Sequence, residues 1–357
     1  LKSYISLLQK YYVNSESIYN EGIEINSMME KARRAIAGLL GVQASDVIFT
    51  SGSSESNTSA IKGVCFANKN KKHIITTNVE HSSILNCCRQ MEEVFGYRVT
   101  YLPVDSTGKV SLKQVMDAVD EDTAIVSIMY VNNESGAVNP INEISEYVKK
   151  KTHAYMHVDL TQSIGKVPLD MTNIDLASIS AHKLEGLKGS GILVKKSFVP
   201  YVPLINGGEQ EFGIRGGTSN ALVDMMFAKT LRLALENGKK YHSCIQEMHD
   251  RLIAGLKSIE GVEINSPEDA IASTINFSYE NIPSEVMQNA LNEGGFMVSA
   301  RSTCDSKSMN PSYVLEAMGF SEKRASSCIR VSLSYHNTLE EVDRFIEVLK
   351  GVIQLYG

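Results

Sequence analysis

The sequence has 357 residues, of which 43% are hydrophobic and 21% charged, the composition of an ordinary globular protein long enough for two packed domains. Its net charge of −6 is spread over the whole length, which argues against a nucleic-acid-binding surface. No apolar run approaches the roughly 18 residues of a membrane span, and the six cysteines lack C-x-x-C or zinc spacing. We therefore expect no membrane segment, no metal site and a reduced, cytoplasmic protein.

The first two thirds of the chain carry the pattern of an α/β protein. Residues 28–40 repeat apolar side chains at helical spacing and stop at Gly41, which predicts a helix. Short apolar runs then alternate with segments of helical character, which indicates a largely parallel sheet covered on both faces. The predicted strands lie at 47–50, 74–77, 99–104, 124–131, 154–158, 176–180 and 191–194.

The pattern changes after about residue 238. A predicted helix at 241–259 leads to short strands and a further helix in α+β order. We therefore predict a large domain over 1–238 and a smaller C-terminal domain over 239–357. The remaining predicted elements are strands at 262–264, 272–278 and 328–333 and a helix at 284–292.

Polar residues follow four of the predicted strands. His81, Asn133, Asp159 and the pair His182-Lys183 each stand at or just beyond a strand's carboxyl end. In parallel α/β sheets, ligands bind beyond those ends, so we expect these side chains to share one rim of the sheet.

Two of these residues fit the demands of pyridoxal phosphate (PLP). This cofactor needs a lysine for a Schiff base, an acid facing its pyridine nitrogen, a flat group over its ring and an anion cup. Lys183 lies in a Gly-rich segment, and Asp159 would be costly to bury unless a cation such as a protonated pyridine compensated it. Taken alone, Lys183 also reads as a surface lysine and Asp159 as a helix cap.

The phosphate cup has a candidate at residues 50–57. The sequence Thr-Ser-Gly-Ser-Ser-Glu-Ser-Asn joins a strand to a helix that starts near Ser54, and Gly52 gives the turn freedom. Hydroxyls and helix-start N–H groups together bind anions, although the same composition also makes a plain N-cap turn. No G-x-G-x-x-G follows the first strand and no Walker A motif occurs, which disfavours dinucleotides and ATP.

Arg330 is the remaining basic anchor. A guanidinium holds a carboxylate by two parallel hydrogen bonds, and an amino-acid substrate would supply that carboxylate. A structural salt bridge at a strand explains the same residue.

Nine segments, in order and with similar spacing, resemble the cysteine desulfurases of the class V aminotransferase group, which are PLP enzymes of fold type I. The resemblance covers nearly the whole chain and implies a mostly parallel seven-stranded sheet with a smaller C-terminal α+β domain. The segments lie at 50–56, 80–83, 131–136, 157–163, 180–183, 215–218, 302–304, 310–313 and 327–330.

The resemblance also implies roles. Lys183 would carry the cofactor and shuttle the proton, His81 would stack on the ring with a part in proton transfer, and Cys304 would take sulfur from L-cysteine as a persulfide. The other implied site residues are Asp159 for the pyridine nitrogen, Gln162 for the phenolic oxygen, Ser53, Ser54, Ser180 and His182 for the phosphate, Thr218 for the phosphate of a second subunit, and Asn133 and Arg330 for the substrate carboxylate. Because Thr218 would serve a second subunit, the resemblance implies a homodimer. It also implies a partner protein that accepts the sulfur for iron–sulfur cluster or thio-cofactor supply.

The sequence departs from the family pattern at several points. The N-terminal segment Asp-Asn-Ala-Ala-Thr-Thr does not occur, Glu185 replaces the tyrosine after the lysine, and Phe212 stands where an arginine is expected. The cross-subunit loop reads Arg-Gly-Gly-Thr at 215–218 instead of Arg-Ser-Gly-Thr, and no long scaffold-docking tail follows Gly357. Two alternatives stay open, of which the second is motivated by the missing N-terminal motif. One is another class V enzyme, an aminotransferase or selenocysteine lyase, with Cys304 incidental; the other is a catalytically weak PLP-binding partner subunit.

Overall fold

The structure is a computed structural model that describes residues 2–300 and 310–357. In this part of the chain, seven strands form one sheet and three form a second, smaller sheet. The strands are β1 (Val47–Thr50), β2 (His73–Thr77), β3 (Arg98–Leu102), β4 (Thr123–Met129), β5 (Tyr155–Asp159), β6 (Leu176–Ser180), β7 (Gly191–Lys195), β8 (Val262–Ile264), β9 (Thr274–Tyr279) and β10 (Cys328–Ser332).

The helices of the described residues alternate with the strands of the large sheet and surround those of the small one. None of them is both long and apolar enough to cross a bilayer. The α-helices are α1 (Lys2–Lys10), α2 (Asn20–Leu40), α3 (Ser53–Ala67), α4 (Ser82–Glu93), α5 (Leu112–Ala118), α6 (Ile141–Lys151), α7 (Ala221–Lys257), α8 (Ser284–Glu293), α9 (Tyr313–Ala317), α10 (Glu322–Ser326) and α11 (Leu339–Tyr356).

The large sheet has the strand order β1-β7-β6-β5-β4-β2-β3. Neighbouring strands are parallel except at β7, which is antiparallel to both β1 and β6. All strands of this sheet other than β7 therefore run in the same direction and end at the same edge. The predicted fold class is confirmed, and the predicted strands lie within a few residues of those observed.

Both faces of the large sheet are covered, as near-continuous apolar strands require. Ile48 and Ile125 belong to a buried cluster with residues of α3 and α4, whereas Val126 and Ile179 belong to a cluster with α2, α6 and α7. Successive strand residues alternate between the two clusters because side chains point to opposite faces of a strand.

The small sheet has the order β10-β9-β8 and is antiparallel throughout. Its core combines strand residues such as Phe277 with residues of α8, α11 and the second half of α7. The helix predicted from 241 begins earlier, at Ala221, because Phe227 and Leu231 pack into the core of the large sheet. The proposed boundary at 238/239 lies inside this helix, and the division into domains stays a prediction.

The turn after β5 packs directly on α7 through two glycines. Gly165 has φ +74°, and a Cβ added at Gly238 would lie 2.0 Å from the carbonyl oxygen of Gly165. Only two residues without side chains allow this approach of backbone to backbone. The turn that follows Asp159 is thereby fixed against the long helix.

We expect Gly238→Ala to lower the unfolding midpoint, because its methyl group can only be accommodated by shifting backbone, at a cost of roughly 1–3 kcal/mol. The matched control is Gly351→Ala in α11, where an added Cβ meets nothing within 4 Å. That substitution should raise the midpoint, since alanine favours a helix over glycine by about 0.5–1 kcal/mol. Thermal unfolding followed by circular dichroism measures both, and a change of the same sign in the two variants would contradict this packing.

Candidate active site

The carboxyl ends of the parallel strands form a rim that collects most of the predicted site residues. Thr50 of β1 is in register with Gly191 of β7, which is in register with Ser180 of β6. Asp159 of β5 is in register with Met129 of β4. The rim therefore runs from the start of α3 across β6 and β5 to the residues that follow β4.

The turn before α3 lies against the end of β6. Gly52 has φ +151°, and a Cβ there would lie 3.5 Å from the hydroxyl of Ser180, while a Cβ on Gly191 would lie 2.5 Å from the Cα of Gly52. Ser180 Oγ is 2.8 Å from His182 Nδ1. The start of α3 at Ser53, the Ser180 hydroxyl and His182 thus lie next to one another, and a helix start with adjacent hydroxyls suits a phosphate.

A chain of hydrogen bonds links His81 to Asp159. His81 caps α4, with Nδ1 2.9 Å from Ser83 Oγ and 3.2 Å from the Ser83 nitrogen that donates to it. Asn57 of α3 donates from Nδ2 to Ser83 Oγ at 3.0 Å and to Asp159 Oδ2 at 2.8 Å. Asn57 was not among the predicted site residues. A polar residue on the buried side of α3 was the available signal.

Asp159 is a buried carboxylate whose charge is only partly compensated. It is 5% exposed and accepts hydrogen bonds from Asn57 and from the Thr161 nitrogen at 2.9 Å. Among the described residues it forms no ion pair, and burial lowers the pKa of the nearby His157 to about 4, so that imidazole is neutral. A buried carboxylate with neutral neighbours is stabilised by a cationic partner, and a protonated pyridine nitrogen fits this requirement.

Arg330 of β10 reaches the rim from the small sheet. Its Nη1 donates to the Asn133 carbonyl oxygen at 2.7 Å and its Nη2 to Ser299 Oγ at 3.1 Å. Arg330 Nε and Asn133 Oδ1 are buried and have no hydrogen-bond partner within the described part of the chain. Contacts within the described residues use two of the five N–H donors of the guanidinium, and the others are compatible with a carboxylate ligand.

Lys183 lies in the short turn Ala181–Leu184 after β6, with its side chain exposed at the rim. It lines a cavity of about 180 Å³ together with Lys166 and Tyr335. Gln162 joins this group because Lys166 Nζ donates to its Oε1 at 3.2 Å. Sequence reasoning missed Lys166, a lysine in a turn that carries no motif of its own.

Thr218 stands apart from the other candidates. It is exposed on the loop after the turn Gln210–Gly213, and no hydrogen bond joins it to them in the part of the molecule described. Arg33 of α2 anchors this loop, donating to both carboxylate oxygens of Glu211 at 2.7 and 2.8 Å. Phe212, in place of the expected arginine, lies 4.9 Å from the Arg33 guanidinium. The loop is therefore held by a buried ion pair while Thr218 points outward.

The described cysteines differ sharply in exposure. Cys65, Cys87, Cys88 and Cys328 are buried, and burial raises the pKa of Cys87 to about 11 and that of Cys65 and Cys88 further. These thiols are poor nucleophiles because the thiolate is the reactive form. Cys244 on α7 is exposed. The predicted nucleophile, Cys304, lies outside the described residues.

The comparisons with known proteins agree with this geometry. The sequence model of the family "Aminotransferase class-V" matches residues 1–345. "Cysteine desulfurase IscS" of Methanosarcina thermophila is 38% identical over 99% of this chain and 88% of that protein. "Cysteine desulfurase IscS" of Clostridium botulinum is 37% identical over 99% of this chain and 90% of that protein.

A solved structure, titled "NIFS-LIKE PROTEIN", superimposes on 99% of this chain and 95% of its own with a TM-score of 0.93 and 37% sequence identity. These matches extend over both sheets and confirm the resemblance that the nine segments indicated. The chain therefore belongs to the class V aminotransferase family of PLP-dependent enzymes.

Proposed function

We propose that this chain is a cysteine desulfurase that removes sulfur from L-cysteine, releases L-alanine and holds the sulfur as a persulfide on Cys304. The observation that carries most weight is the rim itself, where Asp159 is buried, has no ion-pair partner among the residues that the structure describes, and lies one strand from Lys183. Its relatives named cysteine desulfurase span nearly the same length of chain.

The cofactor site is built from residues that the sheet brings to one edge. Lys183 would hold PLP covalently through Nζ, Asp159 would hold the pyridine nitrogen in its protonated form, and Gln162 would donate to the phenolic oxygen. Ser53, Ser54, Ser180 and His182 would bind the phosphate. When bound, PLP supplies an electron sink that weakens the bonds to the Cα and Cβ substituents of an amino acid.

The chain's own residues orient the substrate. Arg330 contacts the Asn133 backbone and keeps further N–H groups without an acceptor among the described residues, so a substrate carboxylate could accept from the guanidinium without displacing its two protein contacts. His81 is fixed at the start of α4 by Ser83 and so presents a rigid flat ring. Such positioning reduces the entropy lost when the reacting groups meet.

The sulfur step uses a thiolate and a proton donor. The Cys304 thiolate attacks the sulfur of L-cysteine, a sulfur–sulfur bond forms and the Cβ–S bond breaks. The electron pair of the broken bond stays with the carbon skeleton, which takes a proton from Lys183 Nζ and leaves as alanine. Arg301, three residues from Cys304 in the sequence, would favour the thiolate.

The assembly and the fate of the sulfur complete the proposal. Thr218 would reach the phosphate of a second copy of the chain, because it is exposed on an anchored loop and contacts none of its own subunit's candidates in the described region. A sulfur-acceptor protein would take the persulfide sulfur for iron–sulfur or thio-cofactor supply. We place the protein in the cytoplasm, because the described cysteines are free thiols and a reducing compartment keeps thiols in that form.

We expect Asp159→Asn to retain PLP but lose roughly 100-fold or more of the rate of sulfide release, because a neutral amide cannot hold the pyridine nitrogen protonated. The matched control is Asp175→Asn, which alters a carboxylate equally buried at the opposite edge of the sheet, where it pairs with Lys149 at 2.8 Å. That variant should lose stability and keep its specific activity. Equal loss of rate per bound PLP in both variants would refute the role of Asp159.

Cys304→Ser should abolish sulfide release while leaving PLP binding intact, since a serine hydroxyl is a weak nucleophile toward sulfur without an adjacent base. Cys244→Ser, a change at an exposed thiol on α7, is the control and should behave as wild type. The assay is sulfide and alanine formation from L-cysteine with a reductant, in which wild type gives equal amounts of both. Normal desulfuration by Cys304→Ser would instead favour an aminotransferase-like or selenocysteine lyase-like activity with Cys304 incidental.

A further inference from the structure

A second lysine of the site region, Lys166, has no role in the mechanism above. It lies in the turn after β5, lines the same cavity of about 180 Å³ as Lys183, and is half-buried. Its Nζ donates a hydrogen bond to Gln162 Oε1 at 3.2 Å. A lysine retained beside other cations requires a reason, because burial and like charge both disfavour it.

The pKa of Lys166 shows that its position disfavours the charged form of the side chain. Burial, followed by the charges of Lys183 and Arg330, lowers the pKa of Lys166 to about 8. Near neutral pH most of the group is still an ammonium, which can only donate hydrogen bonds. Its contact with Gln162 therefore fixes which end of the amide faces the lysine.

The backbone of Lys166 is also held in place. The preceding residue, Gly165, approaches α7 so closely that an added Cβ would lie 2.4 Å from the Ala234 carbonyl oxygen. The Lys166 nitrogen donates to the Ser163 carbonyl oxygen at 2.9 Å, which closes the turn that also carries Gln162. The lysine and the glutamine are thus presented from one rigid turn.

We propose that Lys166 is a positioning residue that orients the Gln162 amide, so that its nitrogen, not its oxygen, faces the phenolic oxygen of PLP. An amide rotated by half a turn would present its carbonyl oxygen to that phenolate and repel it. With Oε1 bound to Lys166 Nζ, the rotated state is disfavoured before the cofactor arrives. This inference rests on the proposed function, and it adds to it a residue that acts through Gln162.

The test is a double-mutant cycle on the full chain, with PLP titrated into the apo-protein and followed by its visible absorbance. Lys166→Met should raise the PLP dissociation constant about tenfold, as expected for loss of an oriented, charge-assisted hydrogen bond. Lys166→Arg keeps a donor and should recover most of the affinity. Gln162→Leu should weaken binding at least as much as Lys166→Met, and the double variant should be no weaker than Gln162→Leu.

The visible absorbance spectrum of bound PLP is a second measurement. It should not change if Lys166 only stabilises the fold. The visible maximum should shift equally in Gln162→Leu and in the double variant, because both lose the donor to the phenolic oxygen. Lys195→Met is the matched control. Lys195 is a buried lysine whose Nζ donates to the Val199 carbonyl oxygen at 3.1 Å, and it is in register with Leu176 at the opposite edge of the sheet.

The possible outcomes distinguish the positioning role of Lys166 from the proposed function of the chain. Additive losses in the double variant, or a Lys166→Met protein with wild-type affinity and spectrum, would overturn the positioning role and leave the proposed function standing. The same tenfold loss in Lys195→Met would also overturn it, because the effect would then be general destabilisation. A wild-type chain that takes up no PLP would instead contradict the proposed function.

Discussion

The site depends on the common direction of the strands in the large sheet. Because β1, β6, β5, β4 and β2 all end at one edge, five separate stretches of sequence deliver their polar residues to the same rim. The single reversed strand, β7, does not disturb this arrangement. It is antiparallel to both of its neighbours, so β1 and β6 on either side of it still run in the same direction. The first residue of β7 is Gly191. Because it has no side chain, the turn before α3 can pack against the end of β6.

The rim brings cationic side chains and a buried carboxylate to one edge of the sheet. Lys183, Lys166 and Arg330 bring positive charge, while Asp159 is buried with two N–H donors and, within residues 2–300 and 310–357, no ion-pair partner. The phosphate, phenolate and protonated ring nitrogen of PLP, together with the carboxylate of an amino-acid substrate, would complement these charges. Hydrogen bonds run from His81 through Ser83 and Asn57 to Asp159, so the residue proposed to stack on the ring would be linked to the residue proposed to hold the pyridine nitrogen. The site is therefore ordered before the ligand binds, which lowers the entropy lost on binding.

The sequence predicted the strands of the large sheet well, because buried parallel strands are short, continuous apolar runs that few other structures imitate. It also placed Asp159 and Lys183 at strand ends. It could not predict the early start of α7, whose Phe227 and Leu231 are buried by a sheet far away in the sequence. Asn57 was missed because its partner Asp159 lies on a strand far away in the sequence, and no local pattern marks such a contact. Lys166 was missed because it lies in an irregular turn, where no helical or strand periodicity indicates that its side chain contacts Gln162, four residues earlier.

The central claim is that Lys183, and no other lysine of this region, carries the cofactor. Reduction of the PLP-loaded protein with borohydride, digestion and mass spectrometry would locate the attached pyridoxyl group. The account predicts a single modified peptide with the added mass on Lys183. Attachment to Lys166 or Lys188, or the absence of any modified lysine, would contradict it.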